Sequence, residues 1–185
     1  MIHITLSDGS LREYDQPLSV YEFAASIGAA LARAAVAGRV DGVLVDCEFM
    51  IEADARVGIV TPQEPDGLEI LRRSCALMLA VAIKQLYPKA QLQIGSAMGD
   101  GFFYEFAFER LLHLVDLAGI EARMRTLAAT NHSIRRRKPP TGSTPPEKSL
   151  PYLLGDFECL SVGPHVPATR VLQAFALDHI SGTAP

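Results

Sequence analysis

The chain has 185 residues, with 17 Lys plus Arg against 21 Asp plus Glu and a formal net charge of −4. Its 49% hydrophobic and 21% charged residues are the balance of a folded chain, which excludes wholesale disorder. The mild acidity argues against broad coating of nucleic acid, though not against a local basic patch. The length suits one large domain or two small ones. No uncharged apolar stretch approaches the roughly 20 residues that span a bilayer, and MIHITLSDGS shows no basic segment followed by an apolar one. Cys47, Cys75 and Cys159 are too few and too odd in number for a disulfide scaffold. A soluble, reduced, cytoplasmic protein without a membrane partner is expected.

Residues 1–62 read as a small α+β unit. Ile2, Ile4 and Leu6 alternate with polar or small residues, as a half-buried strand does. Asp8-Gly9 predicts a tight hairpin with φ > 0 at both central positions, returning along Leu11 to Tyr14. Ser19 is placed to cap a helix from Val20, with Glu22 in its first turn and Gly28 at its end. Val36 to Val40 and Val43 to Asp46 flank Asp41-Gly42 as a second hairpin, and Arg56 to Thr61 closes the unit. Two strands, a helix and further strands in about 60 residues suggest a β-grasp arrangement. Gln63 to Gly67 is polar and turn-rich and reads as a linker.

From Leu68 the period becomes helical. Ile70, Leu71, Cys75, Leu77, Met78, Val81, Ala82 and Leu86 form an apolar stripe ended by Pro88. Leu92 to Ile94 is short and strand-like, Gly99-Asp100-Gly101 is a turn, and Phe102 to Phe108 is an aromatic strand. Leu111 to Ala129 is a second helix, whose positive end is read as Arg135 to Lys138. A stretch rich in Pro, Ser, Thr and Gly follows, up to Pro146. The fold class is α+β.

Several phrases together resemble the amino-terminal region of threonyl-tRNA synthetases: ITLSDGS from Ile4, AGRVDGVLVD from Ala37, DGLEILRRSCA from Asp66, AIKQLYP from Ala82, GDGFFYEF from Gly99 and GPHVP from Gly163. They cover nearly the whole chain in order. The resemblance implies a ubiquitin-like TGS domain over 1–62 and an editing-like domain over 66–185, with an antiparallel sheet and a long helix. In the family that second domain, shared with alanyl-tRNA synthetases, removes wrongly attached serine from tRNA. The likeness ends where the aminoacylation core would start, so a free-standing editing region is expected.

The family's editing motifs are altered. Its His-Ser-Cys-Ala-His helix places two imidazoles on one face, where they can share a metal ion. Here the phrase is Arg73-Ser74-Cys75-Ala76-Leu77, and Arg73 is a permanent cation. The family's Asp-x-Cys-Arg-Gly-Pro-His reads Cys159-Leu160-Ser161-Val162-Gly163-Pro164-His165. Of that set His165 remains, or His165 and Cys159 if a two-residue gap is allowed. Loss of the metal site, and no cofactor, is expected.

Each remaining candidate has two readings. His165 is a general acid/base or a loop histidine after Gly163-Pro164. Cys159 is a nucleophile or a packed strand thiol, with Ser161 as a further nucleophile or donor. Arg73 holds a carboxylate or phosphate, or is a solvated charge beside Arg72. Tyr104 and Asp100 match positions near the family's substrate pocket. Tyr104 otherwise belongs to an aromatic strand and Asp100 to its turn. Asp178 and His179 line the pocket or form a tail, and Arg135 to Lys138 binds phosphates or is a solvated helix end.

The resemblance implies three functions. The first is a metal-free enzyme that acts on a small hydroxy-acyl or aminoacyl ester or thioester, free or joined to a carrier or tRNA, in specialised metabolism. In it His165 acts as base, Cys159 or Ser161 as nucleophile or donor, and Arg73, Tyr104 and Asp100 bind the substrate. The second is a deacylase of mischarged tRNA acting in trans. The third is a non-catalytic module that binds tRNA or a protein partner.

Overall fold

The computed structural model describes residues 1–137 and 149–182. Two compact units emerge: Met1–Leu71 with Gly163–Pro167, and Arg72–Val162 with Ala168–Pro185.

The first unit has strands β1 (Ile2–Thr5), β2 (Leu11–Tyr14), β3 (Leu18–Ser19), β4 (Ala37–Val40), β5 (Val43–Val45), β6 (Met50–Ile51) and β7 (Ala55–Val60), with helices α1 (Val20–Ile27) and α2 (Ala29–Ala34). Five strands form one sheet in the order β2-β1-β7-β4-β5, and β3 pairs with β6. The first and last strands, β1 and β7, run parallel, while the other neighbours in the five-stranded sheet are antiparallel. A parallel pair needs a crossover, here supplied by the helical segment, and this is the β-grasp arrangement. Ile2, Ile4, Val20, Phe23, Ile51 and Val57 build the core between sheet and helix.

Local chemistry explains the elements. Ser19 Oγ accepts from the Glu22 backbone N–H at 3.2 Å, and the Glu22 carboxylate accepts from the Ser19 N–H at 2.7 Å. That reciprocal capping box starts α1 where the sequence places it. The Asp41-Gly42 turn has φ of 48° and 84°, as the tightest hairpins require.

The first hairpin differs from expectation. Only Gly9 is left-handed, at φ 85°. The Leu6 N–H donates to the Ser10 carbonyl at 2.9 Å and the Gly9 N–H to Leu6 at 3.0 Å, which makes a three-residue loop. Asp8 instead uses Oδ1 to accept from the Ser10 N–H at 2.9 Å, so it needs no positive φ.

The expected linker is also corrected. Helix α3 spans Pro65–Leu86, so Pro65, Asp66 and Gly67 form its first turn. Proline suits that position because its missing N–H has no helical partner there. A Cβ on Gly67 would lie 1.9 Å from the Thr61 carbonyl oxygen, so glycine permits the backbone approach. Arg39 pairs with Asp66 across the first unit. The apolar stripe expected on α3 is wider than a stripe. Every residue from Ser74 to Ile83 is buried, and Leu86 is exposed. A helix apolar on all sides is enclosed on all sides.

The second unit contains β8 (Gln91–Met98), β9 (Gly101–Ala107), α4 (Leu114–Ala129), β10 (Ile134–Arg136), β11 (Ser149–Leu154), β12 (Phe157–Val162) and a 3-10 turn (Thr169–Val171). Strands β8 and β9 form a hairpin, and β10-β11-β12 an antiparallel sheet. Helix α4 starts three residues later than expected because the Asp116 carboxylate accepts the His113 N–H at 2.8 Å. It ends at Ala129, and Asn131 at φ 52° turns the chain away. Arg135 and Arg136 therefore lie on an edge strand and not at a helix end. Lys138 and the Pro-rich stretch after it lie outside the described residues. No helix among the described residues is long and apolar enough to cross a membrane.

Candidate functional site

Strand β12 presents alternate faces. Phe157, Cys159 and Ser161 are half-buried, whereas Glu158, Leu160 and Val162 are exposed. The side-chain period of two in a strand thus puts two candidates, Cys159 and Ser161, on one face. Cys159 stands opposite the buried Tyr152 in the sheet, and Ser161 stands opposite Leu150. Burial pushes the Cys159 thiol up to about 12, and the Glu158 carboxylate adds to the effect. The thiol is neutral near pH 7, whereas nucleophilic cysteines are shifted the other way.

Tyr104 lies on β9 and is half-buried. Burial first, and Cys159 second, hold its phenol at about 12. Its cross-strand partner is Gly95, beside an irregularity in the ladder between Leu92 and Gly95. The ring covers that glycine, since a Cβ there would lie 2.0 Å from Tyr104 Cδ2. The register thus fixes where the phenol stands. Gly95 falls just beyond the short strand expected at Leu92 to Ile94. An isolated glycine in a strand pattern is the signal that marks such a site.

Asp100 sits in the β8–β9 turn with its carboxylate fully exposed, 3.5 Å from the Arg72 guanidinium. Arg73, the next residue on α3, is half-buried with its Nε buried. Asp178 and His179 are exposed and outside any regular element.

His165 is placed differently from the other candidates. It belongs to the first compact unit, in the segment Gly163–Pro167, after a cis Gly163–Pro164 peptide. The residue is 2% exposed. Its backbone N–H donates to Asp46 Oδ1 at 3.0 Å, across 119 positions of sequence. Asp46 ends the AGRVDGVLVD phrase, and its part in holding this segment has no periodic or compositional signal.

The candidates therefore divide. Tyr104 and Cys159 both lie half-buried in the second unit, with Ser161 on the same strand face as Cys159. Asp100 pairs with Arg72, and His165 is held by Asp46 in the first unit. A cavity of about 290 Å³ also lies in the second unit, lined by Gln85, Leu127, His132, Leu154, Gly155, Asp156 and Phe157. None of the sequence-derived candidates lines it.

Comparison with known proteins adds the family. Residues 2–61 match the TGS domain. The threonine–tRNA ligase of Legionella pneumophila (strain Corby) is 43% identical over 202 residues, covering 98% of this chain and 32% of the ligase. That of Methylococcus capsulatus is 44% identical over 204 residues, covering 97% and 31%. That of Nitrosococcus oceani is 42% identical over 199 residues, with the same coverage. The chain spans about a third of the length of these curated relatives. It carries a TGS domain and is homologous, along nearly its whole length, to the amino-terminal region of threonine–tRNA ligases.

Proposed function

We propose that this synthetase-related chain recognises a small hydroxy-acyl or aminoacyl group, held as an ester or thioester, and acts on it without a metal ion. The observation that carries the reading is that Tyr104 on β9 and Cys159 on β12 are both half-buried and held neutral near pH 7. With Ser161 on the same strand face, they offer hydrogen-bond donors to a carbonyl or hydroxyl oxygen. Preorganised neutral donors stabilise charge that develops on such an oxygen.

The residues at hand do not fit the zinc ion that the resemblance implies. Arg73 and Leu77 stand at the two helical positions of the family's imidazoles, and Leu77 is 2% exposed. Ser161 is an alcohol, and burial disfavours the Cys159 thiolate that a metal would need. Among the described residues no group of three or more His, Cys, Asp or Glu is placed to hold an ion. No step is therefore assigned to a metal. Cys159 acts as donor and packing group. The general acid/base role of His165 is part of this proposal, since the family resemblance makes it a remnant of the metal motif.

A second reading, binding without turnover, is favoured by the neutral thiol and by the exposure of Asp100. One assay separates the two. Purified protein is incubated with seryl-tRNA and with a 3-hydroxyacyl thioester, with and without chelator. We expect release of at least one acyl group, unchanged by chelator and about 10²-fold slower in Tyr104→Phe, the order of loss for one oxyanion donor. Turnover abolished by chelator and restored by zinc overturns the proposal. Saturable binding of the same esters without release assigns the chain to the non-catalytic class.

A further inference from the structure

We propose that Asp46, a residue of the first unit, is the positioning residue for His165. The segment Gly163–Pro167 lies between β12 and the 3-10 turn of the second unit, yet packs as part of the first. Pro164, His165 and Val166 are all buried, the last fully. A buried backbone N–H must find an acceptor. For His165 that acceptor is Asp46 Oδ1, at 3.0 Å.

Asp46 is itself firmly placed. It follows β5 directly and precedes Cys47, which is 2% exposed in the small core with Ala24, Ala32 and Ala35. Its own carbonyl accepts the Phe49 N–H at 3.0 Å, and the Cys47 carbonyl accepts the Tyr21 N–H at 2.9 Å. The acceptor end of the carboxylate–amide contact is therefore tied to the β-grasp framework. A hydrogen bond to a charged acceptor is stronger than a neutral one. Fixing the His165 N–H fixes its Cα and the direction in which the imidazole leaves the backbone. The TGS domain thereby supplies the anchor of a residue that the family resemblance assigns to the following domain.

Amide hydrogen exchange at His165, measured on the full chain, tests this directly. Asp46→Ala removes the acceptor, while Asp46→Asn keeps an oxygen that can accept. We expect exchange at His165 to speed by at least about tenfold in Asp46→Ala, with the strands of the first unit still protected, and to stay near wild type in Asp46→Asn. Equal His165 protection in wild type and Asp46→Ala overturns the proposal. If Asp46→Ala unfolds, Asp46→Asn decides: retained protection supports the role, and unprotected exchange overturns it.

Discussion

Gly95→Ala tests how the register of one hairpin places a functional hydroxyl. An added Cβ would meet Tyr104 Cδ2 at 2.0 Å, Cε2 at 2.4 Å and Cγ at 2.9 Å. Carbon atoms in contact sit about 3.5–4.0 Å apart, so the ring must move by roughly 1.5 Å. Overpacking of this kind costs about 1–3 kcal/mol, and replacing a strand glycine returns about 0.5–1. The net cost is up to about 2.5 kcal/mol, so at about 2–4 °C per kcal/mol for a chain of this size the melting midpoint should fall by up to about 10 °C. The same movement should take the phenol from its buried position, so its titration should shift from about 12 toward 10.0. The folded state binds this proton more tightly than the unfolded state. The resulting stability is complete below pH 10 and lost as pH rises through 12, and Gly95→Ala should flatten that loss. Ultraviolet titration of tyrosinate measures the shift, with Tyr104→Phe identifying which of the five tyrosines is responsible. A wild-type melting midpoint together with an unchanged high-pH step would refute the reasoning.

Two further predictions concern stability. Thr169 is fully buried, and its Oγ1 accepts from the His132 N–H at 2.9 Å and donates to the Leu127 carbonyl at 2.7 Å. Thr169→Val keeps the shape but takes the hydroxyl acceptor from the His132 N–H, while the Leu127 carbonyl still accepts from Thr130 Oγ1 at 3.2 Å, so denaturant unfolding should show a loss of about 1–3 kcal/mol; a loss below about 0.5 would contradict the buried bridge. Burial pushes the thiols of Cys47 and Cys75 from 9.0 to about 12, so each contributes stability below pH 9 that is lost as pH rises toward 12. The expected slope is about 1.4 kcal/mol per pH unit and thiol. Urea midpoints measured across this range should decline less steeply in Cys75→Ala, and an identical decline would show that the thiol is not held neutral.

Much of the first unit is legible because its signals are local. Ser19 and Glu22 cap each other within one turn, and Asp41-Gly42 has the backbone angles its residue types prefer. The departures arise where a residue serves a partner outside its own turn. Pro65-Asp66-Gly67 has turn composition, but Asp66 pairs with Arg39 and Gly67 packs on Thr61, and these contacts hold the segment as helix. Arg135 and Arg136 look like a cationic helix end until Asn131 reverses the chain and β11 supplies a strand partner. The site is legible only in part. Alternation on β12 places Cys159 and Ser161 on one face, as sequence spacing implies. The grip of Asp46 on His165 joins residues remote in sequence, and no periodicity records it.

The detour through Gly163–Pro167 has a consequence for inheritance. Because the first unit is not one uninterrupted stretch of chain, a single genetic cut cannot lift it out whole. A fragment beginning at Asp66 would carry Val166 and His165 stripped of their cover.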